Sequence, residues 1–251
     1  MSQHEPRASR SWYLDPLVAR QKREAHLDLV ARWSGARPGR LLKTDLFEEA
    51  NGDDQLLFHL CSACDRAIGL DRDLEIVERA SLRCPRNHGI HLLAGDARAI
   101  ALQGGCIDVV VSSSTLDHFQ EPGDFALALQ ELARILRPGG VLIITLDNPL
   151  NPLYWPLRWL SFAGPFRLGY TPFPRALRRE LDAAGLEVIG SASLIHNPRV
   201  ASTLLFLALR RVLGKRADGL ILGILRCCAF LGRLPTRKFT CCFCATVARK
   251  R

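Results

Sequence analysis

The sequence lacks any stretch of the roughly 18 consecutive apolar residues that a membrane-spanning helix needs. Its first ten residues, MSQHEPRASR, are polar and lack the apolar core of a secretory signal. These two absences argue against a spanning helix and predict a cytoplasmic protein. Hydrophobic residues still make up 48% of the 251 residues, so the chain can bury the core of one large domain.

Without an export signal, the nine cysteines are expected to be reduced thiols rather than a disulfide framework. Cys61 and Cys64 have CxxC spacing, but they lie in the apolar, helix-like run LLFHLCSAC. Packing within a helix is therefore favoured over a metal or redox role. Cys241, Cys242 and Cys244 lie in a strand-like run and are interpreted as small buried hydrophobes. No metal site is predicted.

Acidic residues are nearly absent from the last fifth of the chain. Residues 199–251 hold twelve Lys or Arg and one acid, Asp218, so this segment carries +11 in a chain of net charge +9. Residues 196–238 contain two apolar, helix-like stretches, each too short to span a bilayer. Short apolar helices with flanking cations can lie on an anionic membrane surface. The alternative is that both helices pack on the domain and the cations are solvated.

Strand-like and helix-like segments alternate along the chain. Residues 107–113, IDVVVSS, are a β-branched run typical of a strand buried on both faces. Residues 124–136 form the clearest helix, with Asp124 as its predicted cap and Pro138-Gly139-Gly140 after its end. Further strands are predicted at 40–47, 67–71, 89–97, 141–146, 186–195 and 239–248. Further helices are predicted at 14–33, 52–64, 72–83, 97–103 and 174–185.

This alternation predicts an α/β fold with a Rossmann-like, doubly wound, mostly parallel seven-stranded sheet. A helix precedes the sheet, and residues 196–238 form a helical insertion before the last strand. We expect residues 1–34 to be a tail and helix. Residues 35–251 are expected to form one domain that includes the insertion.

Polar residues stand at the ends of the first four predicted strands, where ligands bind in an open doubly wound sheet. They are Thr44 and Asp45, then Asp71, then Asp96 and Ala97, then Ser112 and Ser113. The two oxygens of Asp71 can accept both hydroxyls of a ribose, and Asp96 is placed to meet an adenine amino group. A single acid of this kind is more often a helix cap or a solvated loop residue. Two acids at successive strand ends, one βαβ repeat apart, favour nucleotide binding over these two alternatives.

The chain resembles the class I S-adenosylmethionine-dependent methyltransferases that act on small molecules. The resemblance covers residues 35–195 and the last strand, and it rests on IGLD, AGDAR, IDVVVSSSTLDHF and ELARILRPGGVLIITLDNP. It implies that S-adenosyl-L-methionine is the cofactor. It also implies that Asp71 holds the ribose, that Asp96 and Ala97 contact the adenine, and that residues after the fourth strand, including Ser112 and Ser113, lie beside the methionine part.

The Gly-rich loop that this family carries after its first strand is missing. The corresponding stretch is LLKTDLFEEANG, in which Gly52 is the only glycine. Glycine lets the backbone approach a ligand, so bulkier residues force another path. We expect Asp45, Glu48 and Glu49 to attract the cationic sulfonium and ammonium groups instead. The alternative is a loop that has lost cofactor binding.

Methyl transfer from a sulfonium depends chiefly on holding the nucleophile close and in line. His118 and Asp117 follow the fourth strand and are the candidate catalytic residues, although such a histidine more often packs or caps a helix. An acceptor pocket is predicted after the fifth strand. Its candidate residues are Asp147, Asn148, Tyr154, Trp155 and Trp159.

These features predict a methyltransferase whose acceptor is a small molecule or a lipid-linked molecule met at the inner membrane surface. One alternative is a non-catalytic cofactor-binding protein with the same fold. A nucleic-acid methyltransferase is less favoured, because the sequence holds no Asn-Pro-Pro-aromatic motif after the fourth strand and no nucleic-acid module. We therefore expect no nucleic-acid partner.

Overall fold

The apolar runs of the sequence form seven strands in the computed structural model, which describes residues 15–35, 37–85, 89–161 and 168–251. The predicted N-terminal tail and Leu14 lie outside the described residues. The strands are β1 (Arg40–Thr44), β2 (Arg66–Asp71), β3 (Ile90–Ala94), β4 (Ile107–Ser113), β5 (Leu136–Asp147), β6 (Leu186–Leu194) and β7 (Phe243–Lys250). The helices are α1 (Pro16–Trp33), α2 (Phe47–Asn51), α3 (Leu56–Leu60), α4 (Leu74–Arg83), α5 (Pro122–Ile135), α6 (Tyr154–Ser161), α7 (Pro174–Ala183), α8 (Arg199–Leu213), α9 (Ala217–Phe230) and α10 (Arg237–Thr240).

The strands form one sheet in the order β3-β2-β1-β4-β5-β7-β6. β7 is antiparallel to β5 and β6, and the pairs among β1 to β5 are parallel. The predicted Rossmann-like, doubly wound sheet is confirmed. The strand order reverses between β1 and β4, where Thr44 pairs with Leu70 on one side and with Ser112 on the other. The carboxyl ends of β1, β2 and β4 therefore meet at the switch point, where such sheets bind ligands.

Alternate residues of the central strands fill two cores, one on each face of the sheet. Leu41 belongs to the core that contains side chains of α3 and α4, whereas Leu42 belongs to the core that contains α5. Both leucines are fully buried. Burying a leucine side chain contributes about 2 kcal/mol. Burial on both faces also explains the run of three valines in β4, because Val109 and Val111 lie in the first core and Val110 lies in the second.

Helix α5 begins two residues earlier than predicted, and β5 follows it directly at Leu136. Asp124 is not the cap, because Glu121 occupies that position and the Asp124 carboxylate pairs with Arg98. Two further predictions are wrong. Residues 97–103 form turns rather than a helix, and the helix expected at 52–64 is shorter, because α3 covers only Leu56–Leu60 and a 3-10 turn follows at Cys61–Ala63.

The insertion forms two consecutive helices, α8 and α9, that pack against α1. Their shared core is Val18 of α1, Phe206 of α8, and Ala217, Ile221 and Leu225 of α9. An ion pair joins Arg210 to Asp15 at 2.8 Å. One side of each insertion helix is thus packed on the domain. No helix in the described part of the chain is long and apolar enough to cross a membrane.

Candidate active site

A cluster of hydroxyl groups forms the floor of the switch point. The Thr44 hydroxyl lies 3.1 Å from the Ser112 hydroxyl and 2.7 Å from that of Thr115. Thr44 and Ser112 are fully buried. Parallel pairing of β1 and β4 brings together Thr44 and Ser112, two of the polar residues predicted at strand ends. Their hydroxyls bond to each other, which fixes the floor of the site.

Asp45 gives the first loop a backbone conformation that glycine usually supplies. Its φ is +68°, in the left-handed region that glycine favours and that aspartate tolerates. Its carboxylate accepts a hydrogen bond from the Phe47 amide at 2.7 Å, and its own amide donates to the Leu70 carbonyl at 2.8 Å. The chain therefore turns sharply after β1 without a glycine.

A buried ion pair braces this loop from below. The Lys43 ammonium donates to Glu49 at 2.9 Å and also to the carbonyl of Asp45. The second Glu49 oxygen accepts from the Leu57 amide at 2.8 Å. Burial disfavours the Lys43 ammonium, but the charges of Glu49 and Asp45 outweigh burial and raise its pKa. Glu49 is fully buried and paired with Lys43, so the expectation that it attracts the cofactor is corrected.

Asp71 lies at the end of β2, as predicted, and is half-buried. One of its oxygens accepts from the Leu46 amide at 2.7 Å, and the other accepts from the Asp73 amide at 3.0 Å. A carboxylate offers about four lone-pair positions. Two therefore remain for the two hydroxyls of a ribose, while the first two hold the carboxylate in place.

Asp96 is held by a partner that the sequence reasoning did not consider. Arg98 donates to both of its carboxylate oxygens, at distances down to 2.6 Å, and also to Asp124 at 2.8 Å. Hydrogen bonds from Arg98 lower the pKa of Asp96. The guanidinium carbon also lies 5.5 Å from the ring centre of Phe119. An adenine amino group would therefore share a carboxylate that is already engaged, beside the half-buried Ala97.

Helix α1 reaches the end of β4 and contributes two residues that sequence reasoning missed. His26 lies 3.2 Å from the Ser113 hydroxyl through Nε2 and 2.8 Å from the Lys22 carbonyl through Nδ1. Burial lowers the pKa of His26 to about 4, so its ring is neutral at neutral pH. Lys22 pairs with Asp54 at 3.2 Å. The spacing of His26 from the buried Leu29 and Val30 was the available signal.

The two candidate catalytic residues have separate surroundings. Asp117 is buried, and its carboxylate accepts from the backbone amide of Asp147 at 3.0 Å, which ties the loop after β4 to the end of β5. His118 follows it in the same 3-10 turn but is exposed. Asp117 is therefore placed to position a loop, while His118 faces solvent.

A cavity of about 320 Å³ opens after β5, between α6 and the first turns of α8. Its lining is Asp147, Asn148, Asn151, Leu153, Tyr154, Pro156, Leu157, Leu168, Pro198, Val200, Ala201, Leu204 and Cys242. Asp147, Asn148 and Tyr154 lie where the acceptor pocket was expected. Trp155 and Trp159 do not line the cavity, and they are 50% and 77% exposed.

Two asparagine-proline turns shape this cavity. The side-chain amides of Asn148 and Asn151 both donate to the Cys241 carbonyl, at 2.9 and 3.0 Å. Each asparagine oxygen accepts from the amide two residues ahead, at Leu150 and Leu153. The polar groups of the asparagines are thus used in holding the loop, which leaves a mainly apolar surface for a ligand.

The residues at the switch point fit S-adenosylmethionine. Besides the two open acceptor positions of Asp71, the buried oxygens Ser114 Oγ and Asp54 Oδ1 have no hydrogen-bond partner among the described residues. Buried polar atoms are normally paired, so these two indicate room for polar groups of a ligand. The described residues contain no cluster of three or more ligands suited to a metal ion.

Sequence comparisons connect this site to known proteins. A family model described as a methyltransferase domain matches residues 48–144. A probable S-adenosylmethionine-dependent methyltransferase of Mycolicibacterium smegmatis is 27% identical over 167 residues, which are 62% of this chain and 57% of that protein. An uncharacterised 37.1 kDa protein from a Streptomyces fradiae transposon is 32% identical over 145 residues, which are 55% of this chain and 41% of that protein. The chain thus spans about half the length of these relatives.

A structural comparison addresses the fold. The crystal structure of the [4+2]-cyclase SpnF superposes with a TM-score of 0.61 at 18% identity, covering 91% of this chain and 80% of that one. At this identity the likeness shows the fold alone. A cyclase shares the architecture, so the chemistry has to be argued from the site and from the sequence matches.

Proposed function

We propose that this chain, which belongs to the class I S-adenosylmethionine-dependent methyltransferases, transfers a methyl group to an apolar acceptor, either a small molecule or a lipid-linked one. One observation carries the proposal. The cavity of about 320 Å³ opens at the carboxyl end of β5, beside the end of β4, and its walls are mainly apolar. Apolar pockets with a few placed polar groups are the usual binding sites for such ligands.

The cofactor would lie across the ends of β1, β2 and β4. We assign the ribose to Asp71 and the adenine side to Asp96 and Ala97. Asp45 would stand near the sulfonium and ammonium groups, where its negative charge is favourable. The floor under the methionine part would be formed by Thr44, Ser112 and Ser113. The bound cofactor supplies a methyl group on a cationic sulfur, which is a good leaving group.

The residues of the chain act mainly by positioning the cofactor and the acceptor. Holding two reactants close and in line can supply several kcal/mol of the barrier reduction. Asp117 holds the end of β5, where Asp147 begins the acceptor cavity. The exposed His118 stays the candidate base, needed only if the acceptor must lose a proton. We assign residues 35–251 to the methyltransferase domain, with 196–238 as an insertion that supplies one cavity wall.

The test has two parts. Calorimetry should detect binding of S-adenosylmethionine, and that result would show that the altered first loop is compatible with cofactor binding. Incubation with methyl-labelled cofactor and fractionated lipid extracts should then label an organic-soluble product, while soluble metabolite pools serve as the comparison. Binding without labelling of any fraction would favour a non-catalytic cofactor-binding protein.

A cavity-filling variant ties the activity to the acceptor pocket. Leu157 lines the cavity, and Leu157→Trp should reduce transfer strongly while cofactor affinity is unchanged. Leu127→Trp is the matched control, since Leu127 is 53% exposed on α5 and does not line the cavity. Equal activity of the two variants would contradict the assignment of the pocket.

A further inference from the structure

The inserted helices expose large apolar side chains that the described part of the domain does not cover. On α8 and α9, Val212 is 81% exposed, Leu204 is 64% exposed and Phe230 is 55% exposed. We call the exposed side chains of α8, α9, α10 and the turns between them the hairpin face. Its apolar members are Val200, Leu204, Leu205, Val212, Leu213, Leu220, Leu222, Phe230 and Phe239. An apolar surface of this extent on one helical unit indicates an interaction site.

The charges on the hairpin face have one sign. Its exposed cations are Arg211, Lys215, Arg216, Arg226, Arg233, Arg237 and Lys238. None of them forms an ion pair with a described residue. Asp218, the only acid of residues 199–251, is paired with Arg210, which also binds Asp15. Whatever covers this face must therefore accept apolar side chains and carry negative charge.

The hairpin face is continuous with the mouth of the acceptor cavity. Val200 and Leu204 belong to both, since they are exposed and also line the cavity. Leu153, on the opposite wall, is 49% exposed. The adjacent α6 exposes Trp155 and Trp159. Tryptophan is enriched where proteins meet the interface between water and lipid.

We propose that the hairpin face is a docking surface for an anionic lipid bilayer, which it places at the mouth of the acceptor cavity. The helices would lie in the plane of the interface, with their apolar side chains among the lipids and their cations beside the headgroups. A second copy of this chain is a poorer occupant, because the same cations would face each other across the contact. The inference rests on the proposed function in one respect, namely that the bilayer supplies the molecule that accepts the methyl group.

Co-sedimentation with vesicles tests the surface. The intact chain should bind vesicles of phosphatidylcholine mixed with phosphatidylglycerol, should bind phosphatidylcholine vesicles weakly, and should be released by high salt. The triple variant R211Q/K215Q/R216Q should lower the partition coefficient on the order of 100-fold at low salt. A second variant, V212S/L220S, removes apolar side chains without changing charge and should also weaken binding.

A matched control removes the same charge elsewhere. Arg178 and Arg179 lie in a groove with Leu186 and Glu187, at the amino end of β6, and the exposed Arg249 of β7 pairs with Glu187. The variant R178Q/R179Q/R249Q should bind anionic vesicles nearly as well as the original chain. Equal losses in both triple variants would overturn the docking surface in favour of unspecific attraction. Thermal melting of each variant shows that it is folded.

The remaining outcomes are also decisive. No binding to either vesicle overturns the proposal, as does a dimer in light scattering that dissociates in the V212S/L220S variant. A salt-sensitive shift of tRNA in gels, without vesicle binding, would indicate that the hairpin face binds nucleic acid and not a bilayer. Cofactor affinity measured on the same samples separates the two hypotheses. If the original chain binds the cofactor but not the vesicles, the docking surface alone is refuted, and if it binds the vesicles but not the cofactor, the methyltransferase site alone is refuted.

Discussion

Substitutions at Asp45 separate its conformational role from its charge. Asp45→Ala removes the hydrogen bond to the Phe47 amide and keeps a β-carbon at a φ of +68°. The lost bond is worth about 1 kcal/mol, and alanine in the left-handed region costs a further ~1 kcal/mol. Asp45→Gly loses the same bond but removes the backbone strain. The glycine variant should therefore be about 1 kcal/mol more stable than the alanine variant, although glycine usually destabilises.

Asp45→Asn keeps an oxygen that can accept from Phe47 and removes only the charge. Burial raises the pKa of Asp45, so its charged form destabilises the folded protein increasingly as pH rises through that pKa. The asparagine variant should therefore be at least as stable as the original protein at neutral pH, and the difference should vanish in acid. Its affinity for S-adenosylmethionine should fall about fivefold, or roughly 1 kcal/mol.

Urea unfolding and calorimetry of the three variants supply both measurements. S-adenosylhomocysteine is the control ligand, because it keeps the ammonium group and lacks the sulfonium charge. Asp45→Asn should weaken the binding of S-adenosylmethionine, which carries the sulfonium, more than the binding of S-adenosylhomocysteine, whose thioether is neutral. Equal effects on the two ligands would refute the attraction between Asp45 and the sulfonium, and an alanine variant as stable as the glycine variant would refute the conformational role.

Three further predictions concern the buried polar groups. Asp71→Ala should weaken the binding of S-adenosylmethionine by about 2–4 kcal/mol in calorimetry. The control Asp73→Ala removes only the cap of α4 and should leave this affinity unchanged. Unchanged affinity in the Asp71 variant would show that Asp71 does not hold the ribose. Because the pKa of His26 is about 4 in the folded protein, its contribution to stability is present above pH ~6.5 and is lost as pH falls toward 4, by roughly 3 kcal/mol. In urea unfolding, His26→Gln should flatten this dependence of the unfolding free energy on pH. An unaltered pH dependence in the variant would contradict the prediction. Lys43→Met should cost about 3–5 kcal/mol in the same assay because it leaves Glu49 buried alone, and a double variant with Glu49→Leu should recover most of that loss.

The presence of the strands along the chain, the class of sheet and the polar ends of β2 and β4 could be predicted from the sequence. The apolar run of β4 and the acid at the end of β2 are local signals, because burial on both faces demands continuous hydrophobicity and a ligand site demands a polar strand end. Parallel pairing then brings Thr44 and Ser112 together without any further information. Asp71 is found where it was expected for the same reason.

The partners of individual polar side chains could not be predicted in the same way. The role of Glu49 depends on Lys43, which faces it only because the loop after β1 folds back over the strand. Asp96 faces Arg98, two residues away, and pattern alone could not decide between that partner and an adenine. His26 reaches Ser113 from a helix 87 residues earlier in the chain. Its contact depends on where α1 packs, and no local motif encodes that position.

Helix α1 touches both the insertion and the loop beside the cofactor site. At one end Asp15 binds Arg210 of α8, and further along the helix Arg23 donates to the carbonyls of Asp53 and Asp54, at 2.7 and 2.9 Å. A shift of this helix would act on both sites at once, so the two binding equilibria are expected to be thermodynamically linked. Linkage is reciprocal. The factor by which vesicles change the affinity for the cofactor must equal the factor by which the cofactor changes the affinity for vesicles.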